Sequence, residues 1–458
     1  MPLVPRRLRL VAALLAAAGA AACSDAPTAP SLGSIVRGDL AAGGSRRHVI
    51  VMKDGATTMA SLVAQVQALG GRIVRSQPDI DVVTVSGLTD AAAAVIANRG
   101  DVDGLQQDSA IAMIPPREQI MGQPIQAESD QSGAFFFPAF QWNMRQIKAD
   151  QAWLVTNQGK GALVCVLDTG VDPNHIDLAG KIDLGISTSF VAAEPDIIDH
   201  NFHGTFVSAL ISSNGLGMAS VAPDANLCMI KVLNAQGQGT FSDLIAGIMY
   251  AAQHHADVIN MSLGAYITVQ TKSDVQLVVA LQRAINFALR HGTVPVAAAG
   301  NEAVNLATDN PRNLSIPAQL AGVIDVGATA PVNQQNFDQI ASYSNVGFPG
   351  VLVFAPGGDQ VPGDQLADLI ISACAATAVP QCAGETSYVF GAGTSFSSPH
   401  VAGEAAVIGS DSERDPNVAQ VTACIELTSD HPTGRFLDPL YGFGRIDVLN
   451  AARCMQRR

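Results

Sequence analysis

Three short stretches of the 458-residue chain combine residue types that can break an acyl bond. The first, Val164 to Asp172, closes an apolar run with Asp168, after which Thr169-Gly170 turns the chain. The second is His203-Gly204-Thr205-Phe206-Val207, where Gly204 lets a helix begin close beside the imidazole. The third, Gly391 to Gly403, delivers Ser395 from a Gly-rich loop onto the first turn of a helix, where the peptide dipoles favour developing negative charge. Taken singly, these are a turn-capping Asp, one of nine histidines and a Ser N-cap. Taken together, they hold what a serine nucleophile requires: a hydroxyl, a base to accept its proton, and a carboxylate to hold that base in one tautomer. Asp, His, Ser is one of the chain orders that solves this problem. The α/β-hydrolase order is excluded, and Gly393-Thr394-Ser395-Phe396-Ser397 lacks the closing Gly of its nucleophile elbow. A Cys nucleophile is disfavoured because no Cys is presented by a loop that opens a helix. Neither G-x-G-x-x-G nor a Walker motif follows the first strand, which removes a nucleotide-binding reading.

The elements that must position these groups are legible as alternating patterns. Ala162 to Leu167, Asn226 to Leu233, Val258 to Ser262, Val294 to Ala299 and Val323 to Gly327 are near-continuous apolar runs, as strands buried on both faces require. Helical patterns such as Asp243 to His254 and Val275 to His291 fill the gaps. A parallel sheet covered by helices on both faces follows, with catalytic groups expected at the carboxyl ends of its strands. Ahead of it, His48 to about Leu105 reads as strand, helix, two strands, helix and strand, with Gly70-Gly71 and Gly100 ending the helices and Thr89 capping the second. That is the split βαβ, ferredoxin-like arrangement of a small α+β domain. Pro115 to Pro138 loses periodicity and gathers Pro, Gly, Gln and Ser, as an exposed segment open to proteolysis does.

These blocks, with Ala298-Ala299-Gly300-Asn301 between the second and third, resemble the subtilisin-like (subtilase) serine peptidases from about Gln141 to Met455. The resemblance implies an α/β, three-layer peptidase domain over 141–458. It implies that Asp168 orients His203, that His203 acts as general base and then acid, and that Ser395 attacks the scissile carbonyl. Asn301 would then be the oxyanion donor beside the Ser395 backbone N–H. Gly237, Gln238 and Gly239, and on the opposite side Ser262, Leu263 and Gly264, match the family's substrate-binding segments; a peptide between them adds a strand to each, which implies broad specificity. Intact Asp168, His203, Asn301 and Ser395 disfavour a silent, merely peptide-binding relative. No cofactor is required by this chemistry. Asp177 matches a structural calcium ligand of the family, but Ser212 to Ser220, which should complete that site, is short and carries no carboxylate. Phe206 stands where many relatives have a second His, and Ser208-Ala209 replaces the usual Ala-Gly. In the same light, 46–112 resembles the inhibitory propeptide and 113–140 the processing linker, cut between Asp108 and Phe137. A small domain that chaperones a slow-folding parallel sheet and threads its tail through the cleft has a physical rationale.

Composition agrees with these expectations. The chain is 48% hydrophobic and 14% charged, with 42 Gly and 24 Pro, which suits a loop-rich globule. Its net charge of −14 disfavours nucleic acid as a partner, since phosphate neutralisation needs Lys and Arg. The acidity lies beyond residue 115, where 31 acidic residues face 16 basic ones. Arg6, Arg7 and Arg9 precede an apolar run from Leu10 to Ala22, proportioned as a signal peptide over 1–23 and too short to span a bilayer. Ala20-Ala21-Ala22-Cys23-Ser24 resembles a bacterial lipobox, so Cys23 is the expected lipidation site, with 24–45 a flexible tether. The expected location is extracytoplasmic, as a monomer, with peptide and protein substrates and the chain's own propeptide as partners. Lipid on Cys23 lies on the propeptide side of the maturation cut, so cleavage would free the catalytic domain from its membrane. Export permits disulfides. Cys374 with Cys382 and Cys424 with Cys454 are the expected pairs, while Cys165 and Cys228 sit mid-strand, where a buried thiol or a bond both fit.

Overall fold

The computed structural model describes residues 46–55, 58–113, 117–121, 131–350, 352–361, 365–378, 382, 384, 386–410 and 417–456. The signal peptide, Cys23 and the tether therefore lie outside the described residues, as does part of the expected linker.

Six elements build the small domain: β1 (Arg47–Met52), α1 (Met59–Ala68), β2 (Arg72–Gln77), β3 (Val82–Ser86), α2 (Asp90–Ala97) and β4 (Val102–Gln107). Thr89 accepts the Ala92 N–H and so caps α2 as its residue type dictates. The strands form an antiparallel sheet in the order β2-β3-β1-β4, the split βαβ topology. Alternation along β1 divides its side chains between two cores. Ile50 and Met52 pack with Leu62, Val66 and Ile96 of the helices, whereas Val49 and Val51 face the large domain.

Two strands follow, β5 (Ala110–Met113) and β6 (Arg117–Met121). The expected structureless linker is thus partly wrong: β6 joins a sheet of the large domain, and short helices form further on. Pairing with an existing edge supplies the order that the sequence's own periodicity lacks.

The large domain runs through α3 (Phe137–Phe140), α4 (Trp142–Gln146), α5 (Ala149–Ala152), β7 (Leu163–Asp168), β8 (Thr188–Ser189), α6 (His203–Ile211), β9 (Asn226–Lys231), β10 (Gln238–Thr240) and α7 (Phe241–Gln253). It continues with β11 (Val258–Met261), β12 (Leu263–Thr268), α8 (Lys272–Arg290), β13 (Val294–Ala298), β14 (Asn313–Ile316), β15 (Ile324–Thr329) and β16 (Val353–Pro356). It ends with β17 (Ile370–Ala373), β18 (Tyr388–Ala392), α9 (Thr394–Ser410), α10 (Val418–Thr428) and α11 (Val448–Gln456). Seven strands lie in the order β16-β15-β13-β11-β7-β9-β8, every neighbouring pair parallel. The apolar runs are continuous because both faces are covered. Val164 and Val166 of β7 pack toward α6 and α9, and Cys165 and Leu167 toward α7 and α8. Three layers result, with β7 at the place where the strand order runs off in both directions.

All three disulfides join described cysteines. Cys374–Cys382 and Cys424–Cys454 form as expected. Cys165–Cys228 resolves the open alternative: β7 and β9 are parallel neighbours registered Cys165 on Cys228, with Cα atoms 4.5 Å apart. Register between distant strands is not written in either one's sequence. None of the described helices is long and apolar enough to cross a membrane.

Candidate active site

Asp168 is the last residue of β7 and is wholly buried. Its Oδ1 accepts the Thr169 N–H at 2.7 Å and lies 2.8 Å from His203 Nδ1. A carboxylate only accepts, so Nδ1 carries the proton and Nε2 is left as the basic nitrogen.

His203 opens α6, and its position is set from beneath. Gly204 comes so close to the Gly170 carbonyl that a Cβ would sit 2.1 Å from it, so no other residue lets the helix start at this distance from β7. Buried Asp199 holds the start itself, accepting from the Asn201, Phe202 and Thr205 N–H groups and from the Thr205 and Thr169 hydroxyls. The Thr169 hydroxyl in turn accepts the Gly204 N–H, joining the Asp168 turn to the His203 helix. Phe202 takes φ of 99°, a region costly for a residue with a Cβ, and this cap is what holds it there.

Ser395 is the second residue of α9 and is fully buried. Pro399, four residues on, has no N–H, so the Ser395 carbonyl loses its helical partner. The Ser262 hydroxyl fills that role at 2.7 Å, itself held by the Ser398 hydroxyl and the Asn260 amide. The Ser395 hydroxyl lies 3.2 Å from the Ser262 carbonyl oxygen and donates to it. The two helices meet through aromatic rings. Phe396, directly after Ser395, stacks on Phe206 at 3.9 Å, and its ring lies 5.7 Å from that of His203.

Asn301 follows β13, and its Oδ1 accepts from the Thr394 N–H (3.0 Å) and the Thr394 hydroxyl (2.9 Å). With that oxygen committed, the amide nitrogen is the end presented as a donor. Thr394 also accepts the Gly300 N–H, so one hydroxyl ties Asn301 to the nucleophile's helix. Beyond it, His400 is buried, which drives its pKa down to about 4 and keeps it neutral between the Phe396 carbonyl and the Asn143 amide.

The expected substrate segments flank a strand of the chain itself. β5 pairs antiparallel with β10, Ile111 opposite Gly239 and Ala112 opposite Gln238, and the Met113 N–H donates to the Gly237 carbonyl at 2.8 Å. On the other side it pairs with β12, Ala112 opposite Gly264 and Met113 opposite Leu263. A cavity of about 170 Å³ opens beside it, lined by Gly264, Tyr266, Gly300, Glu302 and Ser315 among others. Burial raises the Glu302 carboxyl above the usual range, with the Asn345 amide as its partner.

The calcium ligand suggested by Asp177 does not fit. Its carboxylate accepts the N–H groups of Leu216 (2.7 Å), Gly217 (3.1 Å) and Met218 (3.0 Å) and the Tyr388 hydroxyl (2.7 Å). A cation there would face four donors, and the short 212–220 loop folds onto the carboxylate in its place.

The subtilase family profile (Peptidase_S8) matches residues 159–444. The chain belongs to the subtilase family. It is therefore a serine peptidase of subtilisin-like fold that acts on peptide substrates. It is 34% identical to the thermophilic serine proteinase of Bacillus sp. (strain AK1), over 69% of this chain and 68% of that protein. It is 32% identical to thermitase of Thermoactinomyces vulgaris, over 69% of this chain and 98% of that protein. The epidermin leader peptide processing serine protease of Staphylococcus aureus shares the fold at a TM-score of 0.72, with 23% identity over 89% of this chain and 97% of that one. Fervidolysin of Fervidobacterium pennivorans, described as a keratinolytic enzyme related to subtilisin, shares it at 0.69, with 23% identity over 91% of this chain and 62% of that one.

Within this subtilase, the residues expected from sequence converge: Asp168 and His203 directly, Ser395 and Asn301 through Phe396 and Thr394. Asp199, Thr169, Thr394 and Asn260 were not anticipated. Only Pro399 left a readable signal, since a Pro four residues after Ser395 announces a carbonyl that the helix itself does not pair.

Proposed function

We propose that this subtilase is an exported endopeptidase that uses an Asp168-His203-Ser395 triad and an acyl-enzyme, made as a self-processed zymogen. The buried Asp168–His203 hydrogen bond, on the helix facing Ser395, carries this reading. Asp168 fixes the tautomer and stabilises the imidazolium that forms. His203 Nε2 takes the Ser395 proton as Oγ attacks the carbonyl carbon, and the oxyanion is held by the Asn301 amide and the Ser395 N–H. His203 then protonates the leaving amine, the acyl-enzyme forms, and water repeats the steps to release the acid.

Residues 46–112 are read as the inhibitory propeptide. Support comes from β5 lying between the two substrate segments and from ion pairs to the large domain, Arg47 and Arg75 to Asp243 and Arg283 to Asp54. Asp108 adds a cap on α7, accepting from the Ser242 N–H and hydroxyl. Residues 1–23 are read as a signal peptide with lipidation at Cys23, in an extracytoplasmic monomer. Expressing wild type beside Ser395→Ala tests the scheme. Wild type should acquire a new N-terminus between Asp108 and Phe137 and leave the membrane fraction, while the variant stays uncut and membrane-bound. An uncut active enzyme, or a variant cut equally well, would refute self-processing.

A further inference from the structure

A lysine ammonium is rarely sealed inside a protein, because there it must be both paired and hydrogen-bonded. Lys231, at the carboxyl end of β9, is fully buried nonetheless. The sheet sets its place: β9 lies beside β7, with Lys231 registered on Asp168. Two residues back on each strand, Val166 and Met229 both pack on the α6 face, so alternation puts the Asp168 and Lys231 side chains on that face too. Its partners show what the ammonium holds. Nζ donates to the Ile198 carbonyl at 2.7 Å and to Glu194 Oε2 at 2.7 Å. Ile198 directly precedes Asp199, whose carboxylate caps the His203 helix and whose N–H donates to the Val171 carbonyl, just past the Asp168 turn. Glu194 Oε1 accepts the Ala235 N–H at 2.9 Å, and the Ala235 carbonyl accepts from the Asn201 amide at 2.9 Å. Ala235 lies in the bend that joins Leu233 to Gly239, which are themselves bridged, and so behind the substrate segment Gly237–Gly239. One buried charge thus reaches the mount of the base by one bond and the substrate edge by another.

We propose that Lys231 is a positioning residue for the reaction, with Glu194 as its relay, and that the pair holds the His203 helix and the Gly237–Gly239 edge in one fixed geometry about Asp168. The proposal rests on the triad reading and adds to it the group that keeps the base in line with bound peptide. Between β8 and α6 the chain forms no helix or strand of its own, so the ladder bonds that fix the strands are missing where His203 is approached. The ammonium supplies that order instead. Its two bonds fasten the stretch at Glu194 and Ile198, and charge-assisted bonds away from water are the strong ones. Without the charge, Ile198 and Asp199 lose their tie to β9, and the Ala235 bend loses its tie through Glu194. The base and the edge then shift independently, and a displacement of about 1 Å at a catalytic group costs on the order of a hundredfold in rate.

The test compares wild type, Lys231→Met, Glu194→Gln and the double variant, each expressed as the full chain. Active sites are counted by fluorophosphonate titration, and kcat and KM for a peptide substrate are expressed per titrated site. Lys231→Met keeps the length of the side chain and removes its charge; it should lower kcat by about tenfold to a hundredfold and raise KM as well. Glu194→Gln weakens only the relay, so it should raise KM while kcat stays within about twofold of wild type. The double variant leaves no buried charge without its partner. Its melting temperature, measured in the Ser395→Ala background, should recover toward the parent's, while its kcat stays as low as that of Lys231→Met. Should Lys231→Met fail to fold, the double variant decides by the same comparison with wild type. A wild-type kcat per titrated site in Lys231→Met, or a kcat that recovers together with stability in the double variant, would overturn the proposal and leave Lys231 a purely structural ion. A Glu194→Gln loss carried by kcat in place of KM would overturn the relay. Wild type that turns over peptide with no titratable site would contradict the serine-peptidase reading itself, whatever the variants do.

Discussion

The Asp177 carboxylate makes a sharp stability prediction, because it does with hydrogen bonds what a cation does in the reading by resemblance. Asp177→Asn keeps the shape of the side chain and replaces one acceptor oxygen by an N–H donor. At least one of its four buried bonds is lost: Oδ1 takes the Leu216 N–H while Oδ2 takes the Gly217 and Met218 N–H groups and the Tyr388 hydroxyl, so the least damaging amide orientation sets its N–H against Leu216 and leaves the other three bonds without their charge. A bond to a charged group contributes about 1.5–3 kcal/mol, so the loss is at least about 1.5–3 kcal/mol. Unfolding entropy of about 2.1 cal/mol/K per residue over roughly 320 residues converts this to a melting temperature lower by at least about 2–4 °C. The assay is calorimetry of full-length Ser395→Ala, which cannot digest itself, with and without Asp177→Asn, each in excess calcium and in chelator. The parent should melt at one temperature in both, and the variant lower by the same amount in both. A melting temperature that falls with chelator in the parent, and no longer does so in Asp177→Asn, would place a cation at Asp177 in place of the four hydrogen bonds.

Three further outcomes follow from the site. Asn301→Ala should lower kcat by about 10² to 10³ with little change in KM, the loss found for the equivalent donor of subtilisin; an equal loss carried by KM would contradict the oxyanion role. Phe206→Ala removes a buried ring stacked at 3.9 Å on Phe396 and should cost about 3–5 kcal/mol in denaturant unfolding, with a loss below about 1 kcal/mol arguing against the stack as a strut. Glu404, buried in α9 beside the Asp447 charge with Arg445 opposing, is held protonated well above its ordinary value of 4.5. Above that value the native state retains a proton that the unfolded chain has released, so this group's contribution to stability falls as pH rises. Glu404→Gln should therefore lose less melting temperature than the parent between about pH 5 and pH 9, and parallel losses would contradict the assignment.

What the sequence discloses follows from how each element is buried. The strands of the parallel sheet are covered on both faces, so β7, β9, β11, β13 and β15 stand out as apolar runs, and the groups at their ends stand out as polar punctuation. β12 is mostly half-exposed, β14 is buried but only four residues long with polar Asn313 and Ser315, and β17 and β18 are too short or too Gly-punctuated to separate from loop, so the antiparallel sheets of the large domain are legible only from their pairing. β6 lacks periodicity of its own because its order comes from β18. Asp199 reads as one acidic residue in a loop, and its cap exists only because the chain bends back over Thr169. Cys165 and Cys228 each look like buried thiols, since their meeting depends on strand register. Asp177 shows the limit of resemblance: the residue type matched, and its surroundings gave it hydrogen-bond donors in place of a metal.

In the proposed mechanism Ser395, activated by His203 under the hold of Asp168, is the nucleophile. Intact-mass measurement after treatment with a fluorophosphonate, followed by peptide mapping, tests it most directly. One adduct per chain, located on Ser395 and lost in both Ser395→Ala and His203→Ala, is the predicted result. An active enzyme that takes up no adduct, or carries it on another residue, would contradict the account.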